Sequence, residues 1–187
     1  MDLLRLVRTA AAGSLLVLLL VLPAAAVAPE YRVKAAILYK FALFVEWPAK
    51  AFPAQTSPFV ACVLGKDPFG PWLQQEMGEA RVGAHPVEIR NFEQGKAAEG
   101  CHLVFIGASE KSRLEEILIP LRGTSALIVS DVSDIDQFCR WGGMISLLME
   151  GAKVRFKLNE KALEQAGLKI DSKLKRVAIS VDCGEAK

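Results

Sequence analysis

Apolar and polar residues follow two rhythms along this chain. Between residues 31 and 47, Val33, Ile37, Phe41 and Phe44-Val45 recur three and four positions apart. That is the stripe of an amphipathic helix, with Arg32, Lys34, Lys40 and Glu46 set between its apolar members. Pro48 disfavours helical backbone at Trp47, so the helix is predicted to stop there. "PAKAFPAQTSP" then reads as a proline-punctuated loop. Beyond it the rhythm changes. "FVACVLG" (59–65), "CHLVFIG" (101–107) and "SALIVSD" (125–131) are short apolar runs, the pattern of strands buried on both faces. "HPVEIRNF" (85–92) alternates, with Val87 and Ile89 inward and Glu88 and Arg90 outward.

Helical segments fall between these strands. Asp67 is a candidate N-cap before Pro68, with Pro71 moving the start towards Gly70. Ser109 is expected to cap a helix through Leu118. "MISLLMEGAKVRFKL" reads as two strands joined at Glu150-Gly151-Ala152, a hairpin. Asn159 caps a helix that Gly167 ends, and a last helix is expected over 171–178. Strands alternating with helices predict an α/β fold: a three-layer sandwich with a mostly parallel central sheet and a C-terminal β-hairpin.

The first residues stand apart. "MDLLRLVRTAAAGSLLVLLLVLPAAAVA" carries two arginines, an apolar run and then small residues. This is the layout of a secretory signal peptide, with cleavage expected after Ala26 and a single domain over 27–187. Removing residues 1–26 takes away Asp2, Arg5 and Arg8 and leaves 21 basic against 20 acidic side chains. A chain so close to neutrality, with no basic run, gives no electrostatic case for nucleic acid.

Export makes the four cysteines, Cys62, Cys101, Cys139 and Cys183, candidates for disulfides. Four cysteines allow three pairings, and the residues alone do not choose. No C-x-x-C pair is present, and His85 and His102 are far apart in sequence, so no metal is expected. The glycines at strand ends, in "CVLGKDPFG" and "VFIGASEK", belong to no phosphate-binding motif, and no cofactor is expected. G-x-S-x-G is absent. Cys101 and His102 are adjacent in a strand and point to opposite faces, so they cannot pair as nucleophile and base. His102 is expected to be a buried, hydrogen-bonded residue. Asp131, Asp134 and Asp136 match a calcium loop only loosely. Gly142-Gly143 leads into a strand, whereas a phosphate loop needs a helix N-terminus beyond it. Trp47, Phe52, Trp72, Phe138 and Trp141 lie at turns, with Phe138 and Trp141 as candidate partner contacts.

Five blocks in order, "KAAILYKFALFVEWP", "CVLGKDPFG", "CHLVFIGASE", "FCRWGGMISLL" and "VRFKLNEKALEQAGLKIDSKL", resemble the YfiR-type periplasmic proteins. The resemblance implies a non-catalytic exported α/β protein. It would bind the sensor region of an inner-membrane diguanylate cyclase and repress it, lowering cyclic-di-GMP and biofilm formation. It further implies a homodimer, and an outer-membrane lipoprotein that sequesters the repressor. It also implies a Cys62–Cys101 disulfide, which adjacent strands would allow. Cys139 is then left with Cys183, a pairing outside the family pattern. The alternative reading is a periplasmic small-molecule sensor acting on another membrane partner, suggested by the strand-end glycines and apolar walls.

Overall fold

A computed structural model of the chain describes residues 27–93 and 98–181. The expected signal peptide, residues 1–26, lies outside these residues, as does Cys183. Among the described residues there are six α-helices: α1 (Val27–Phe44), α2 (Pro71–Met77), α3 (Leu114–Leu118), α4 (Ile135–Arg140), α5 (Glu160–Gln165) and α6 (Ser172–Val177). The strands are β1 (Val45–Glu46), β2 (Phe59–Leu64), β3 (Arg81–Val82), β4 (His85–Phe92), β5 (Leu103–Ile106), β6 (Leu127–Ser130), β7 (Ile145–Glu150), β8 (Lys153–Leu158), β9 (Lys169–Ile170) and β10 (Ile179–Ser180).

Eight strands form one sheet in the order β10-β8-β7-β6-β5-β2-β4-β3. β4, β2, β5, β6 and β7 run parallel; the β7–β8 hairpin and the short β3 are antiparallel to their neighbours. The α/β class, the mostly parallel sheet and the hairpin therefore match the sequence reading. Every residue of β2, β5 and β6 is buried, as their unbroken apolar runs require. β4 sits next to the edge and alternates between half-buried and exposed over His85–Ile89.

Four expectations need correction. The first helix ends at Phe44, because Val45 and Glu46 leave it to pair with β9. Its inward face is Ala35, Leu38, Phe41 and Ala42, while Val33 and Phe44 are exposed. Both sets have helical spacing, so periodicity did not choose between them. Ser109 caps no helix: residues 108–113 form a 3-10 turn before α3, and the Ser109 hydroxyl accepts the Lys66 N–H at 3.0 Å. Asp67 likewise caps no helix and accepts from the Phe69 N–H two residues on, while α2 starts at Pro71 after Gly70, where the sequence reading moves it. The short α4 was not expected; Asp134 starts it by accepting the Gln137 N–H at 3.0 Å.

α1 packs against α2 and β8. Ring contacts carry this packing from Tyr31 to Phe69 (5.6 Å) and on to Phe105 (4.7 Å), and from Phe41 to Phe156 (5.1 Å). Elsewhere α3 meets α4. Asn159 closes the hairpin onto the sheet. Its Oδ1 accepts from Ala162 N–H, and its Nδ2 donates to the Gly143 carbonyl at 3.0 Å.

Candidate functional site

The parallel strands end at one crest, and the strand order reverses between β2 and β5. Doubly wound sheets open a ligand crevice at such a point. Here the chain's own side chains fill it. Gly65 follows β2 with φ 89°, and a Cβ there would lie 2.7 Å from Glu110 Cγ and run into Ser109 Oγ. Glu110 is buried and paired with Arg113 at 3.1 Å. Gly107, after β5, sits close to the Leu64 and Lys66 carbonyls. The strand-end glycines therefore serve close packing.

A second charged group lies on the same crest, just beyond β6. Lys34 on the inward side of α1 is 3% exposed. Its Nζ meets Asp131 Oδ2 at 2.7 Å and Glu30 one helical turn back. The Tyr31 hydroxyl also donates to Asp131 Oδ2, at 2.8 Å. Burial, and then the Asp131 charge, push the Tyr31 phenol well above its ordinary pKa. Asp131 Oδ1 is buried and has no hydrogen-bond partner among the described residues. A buried pair of this kind fixes the position of α1. Asp134 caps α4, so the three aspartates do not form a calcium loop. Among the described residues no cluster of His, Cys, Asp or Glu is suited to hold a metal ion.

At the other end of the sheet, a disulfide joins Cys62 in β2 to Cys101, with Cα atoms 6.0 Å apart and the two cysteines 39 positions apart in sequence. His102 follows directly. It is buried, as expected, and both ring nitrogens are bonded: Nδ1 accepts the Val60 N–H and Nε2 donates to the Ala51 carbonyl, each at 3.0 Å. Trp47 Nε1 donates to the His102 carbonyl at 3.2 Å. His85, remote in sequence, faces the same place, with the Phe52 ring between the two imidazoles. Beside them opens a cleft of about 640 Å³. Lys50 and Ala51 form one wall, Cys101 and His102 another, and Ile117 and Leu121 a third.

The two candidate partner contacts separate. Phe138 is fully buried, its ring under Gly143, where a Cβ would run into it. It is a core residue, which corrects its assignment to a surface. Trp141 is half-buried, with the Arg122 guanidinium 5.6 Å from its ring centre. Gly142 adopts φ 104° to turn the chain out of α4 towards β7. Cys139 is buried and disulfide-bonded. Trp72 lies beneath Arg32, with the guanidinium 5.3 Å from its ring.

Several large apolar residues are exposed, Val33 and Phe44 among them although the sequence pattern set them on the apolar stripe. Val33, Leu43 and Phe44 lie on α1, and Val177 and Ile179 at the end of α6 and in β10. The Phe44 carbonyl accepts from the N–H of Asp171, the cap of α6, which ties the ends of these two helices together. Among the described residues no helix is long and apolar enough to cross a membrane.

These features define a disulfide-stapled α/β protein with a sheet crest closed by its own side chains and apolar residues left on its surface. A family model described as YfiR/HmsC-like matches residues 31–179, and the chain belongs to that family. No curated protein matches it.

Proposed function

We propose that the chain is a periplasmic regulatory protein, without catalytic activity of its own. In this reading it binds the sensor region of an inner-membrane diguanylate cyclase and holds the enzyme inactive. Cyclic-di-GMP and biofilm formation then fall. The family match over residues 31–179 carries this reading. The Cys62–Cys101 disulfide supports it, because such bonds persist in oxidising compartments. So do the exposed apolar residues on α1 and β10, which suit a protein partner. Export through a cleaved signal peptide over residues 1–26, a single folded unit over 27–187, a homodimer, and sequestration by an outer-membrane lipoprotein belong to the same proposal. A small-molecule sensor is the second reading, favoured by the cleft beside His102.

Purified chain is expected to bind the isolated periplasmic region of a membrane diguanylate cyclase from the same cell. Trp141→Ala is expected to weaken that binding by about 2 kcal/mol, roughly thirtyfold, as a tryptophan anchor does. Calorimetry or surface plasmon resonance measures both. Wild-type affinity in Trp141→Ala places the contact elsewhere, and no binding to any such region contradicts the proposal.

A further inference from the structure

The chain has two histidines, and the fold sets both against one phenylalanine. Phe52, in the loop over residues 48–58, stacks 3.7 Å from His85 at 8° and 4.4 Å from His102 at 15°. His102 accepts at Nδ1 and donates at Nε2. An imidazole bonded in that way is neutral, with its proton on Nε2. A second proton would go to Nδ1 and face the Val60 N–H, donor against donor, at a residue only 6% exposed. The two loop bonds themselves, His102 Nε2–H to Ala51 and His85 Nδ1–H to the Ser57 carbonyl at 2.7 Å, both survive protonation; a charged His102 loses Val60 as a partner and stays buried, and only departure of the loop exposes it to water. The loop is thus tied at Ala51, Phe52 and Ser57, each time through one of the two imidazoles.

We propose that this stack is an acid-released latch: neutral His102 holds the 48–58 loop closed, and a second proton on His102 lets it go. Lys50 and Ala51 of the loop wall the cleft beside Cys101. Release therefore widens that cleft and uncovers the Cys101 side of the disulfide.

Among the described residues the charged groups facing His102 are few. Lys50 comes from the loop, His85 from β4, Glu99 from the segment before β5 and Glu116 from α3. β2 and β6 carry no charged residue. Glu99 and Glu116 are exposed, where water and salt screen them. Lys50 and a protonated His85 both oppose a charge on His102. Burial holds the His102 imidazole below its ordinary pKa; the Ala51 carbonyl pulls the other way, and His85 adds to the lowering. In the released loop His102 titrates near the ordinary value of about 6.5. The closed state therefore binds fewer protons. Closure is complete above about pH 6.5 and is lost as pH falls below it towards the lower pKa of the closed form.

Hydrogen exchange on the full chain between pH 7.5 and 5, expressed as protection factors, tests the latch. Protection at Ala51, Phe52 and Val60 is expected to fall as the pH drops below about 6.5. Amides of β5 and β6 are expected to hold theirs. His102→Gln, which keeps a donor and an acceptor but never charges, is expected to abolish that fall, and His85→Gln to retain it. Flat protection at the three amides in the wild type, or an undiminished fall in His102→Gln, overturns the proposal. If His102→Gln does not fold, the imidazole NMR titration of the wild type decides. His102 titrating below 6.5 together with the loop amides supports the latch, and His102 titrating at or above 6.5 overturns it.

Discussion

Replacing Cys62 and Cys101 together with alanine is expected to lower the stability of the folded chain by about 4 kcal/mol. The bond closes a loop of 39 residues, and in the chain-entropy account a loop of that size constrains the unfolded ensemble by about that much. Alanine is the right replacement, because Cys62 is fully buried and a serine hydroxyl there would need a partner. At about 2–4 °C per kcal/mol for a chain of this size, the melting temperature drops by roughly 8–16 °C. Calorimetry on oxidised wild type and on the double variant measures the difference. Non-reducing peptide mapping of the wild type should recover Cys62 linked to Cys101. Equal melting temperatures would show that the bond is not a staple of this fold.

Lys34→Met is expected to cost about 3–5 kcal/mol, because it removes the cation from a buried pair and leaves the Asp131 carboxylate stranded. Among the described residues only the Tyr31 hydroxyl still donates to it, and its Oδ1 has no partner there even in the wild type. Adding Asp131→Asn should recover most of the loss. The amide is neutral and still accepts from Tyr31, so nothing charged remains buried. Urea denaturation of the two variants and the wild type separates this from simple repacking. If the double variant is no more stable than Lys34→Met alone, the stranded charge is not the cause.

The two ends of the sheet differ in how far the sequence reveals them. The runs around Phe59–Leu64, Leu103–Ile106 and Leu127–Ser130 announce central strands because full burial leaves no polar position to interrupt them. Asn159 and Gly167 mark a helix by local chemistry alone, and the structure has it there. The orientation of α1 was not legible, because Val33, Ile37 and Phe44 are spaced as well as Ala35, Leu38 and Ala42. Only the sheet below it decides, and the two alanines let the helix approach. β1, β3, β9 and β10 have two residues each, too short for any period.

The Lys34–Asp131 pair spans 97 residues and the Phe52–His85–His102 stack draws on three separate segments, so neither has a local signature. A signal for the stack did exist. His85 begins β4 and His102 precedes β5, and both strands flank β2 in parallel. Their first residues must then fall at the same end of the sheet. Phe138 was misplaced for a related reason. A turn-flanking aromatic can face either way, and the bare Gly143 beside it made room for the ring inside.

Cyclic-di-GMP measured in cells that lack this chain tests the regulatory reading most directly. The nucleotide should rise on deletion, return to its starting level when the chain is supplied to the periplasm, and stay low when the partner cyclase is deleted as well. An unchanged level in a strain that normally produces the protein would contradict it.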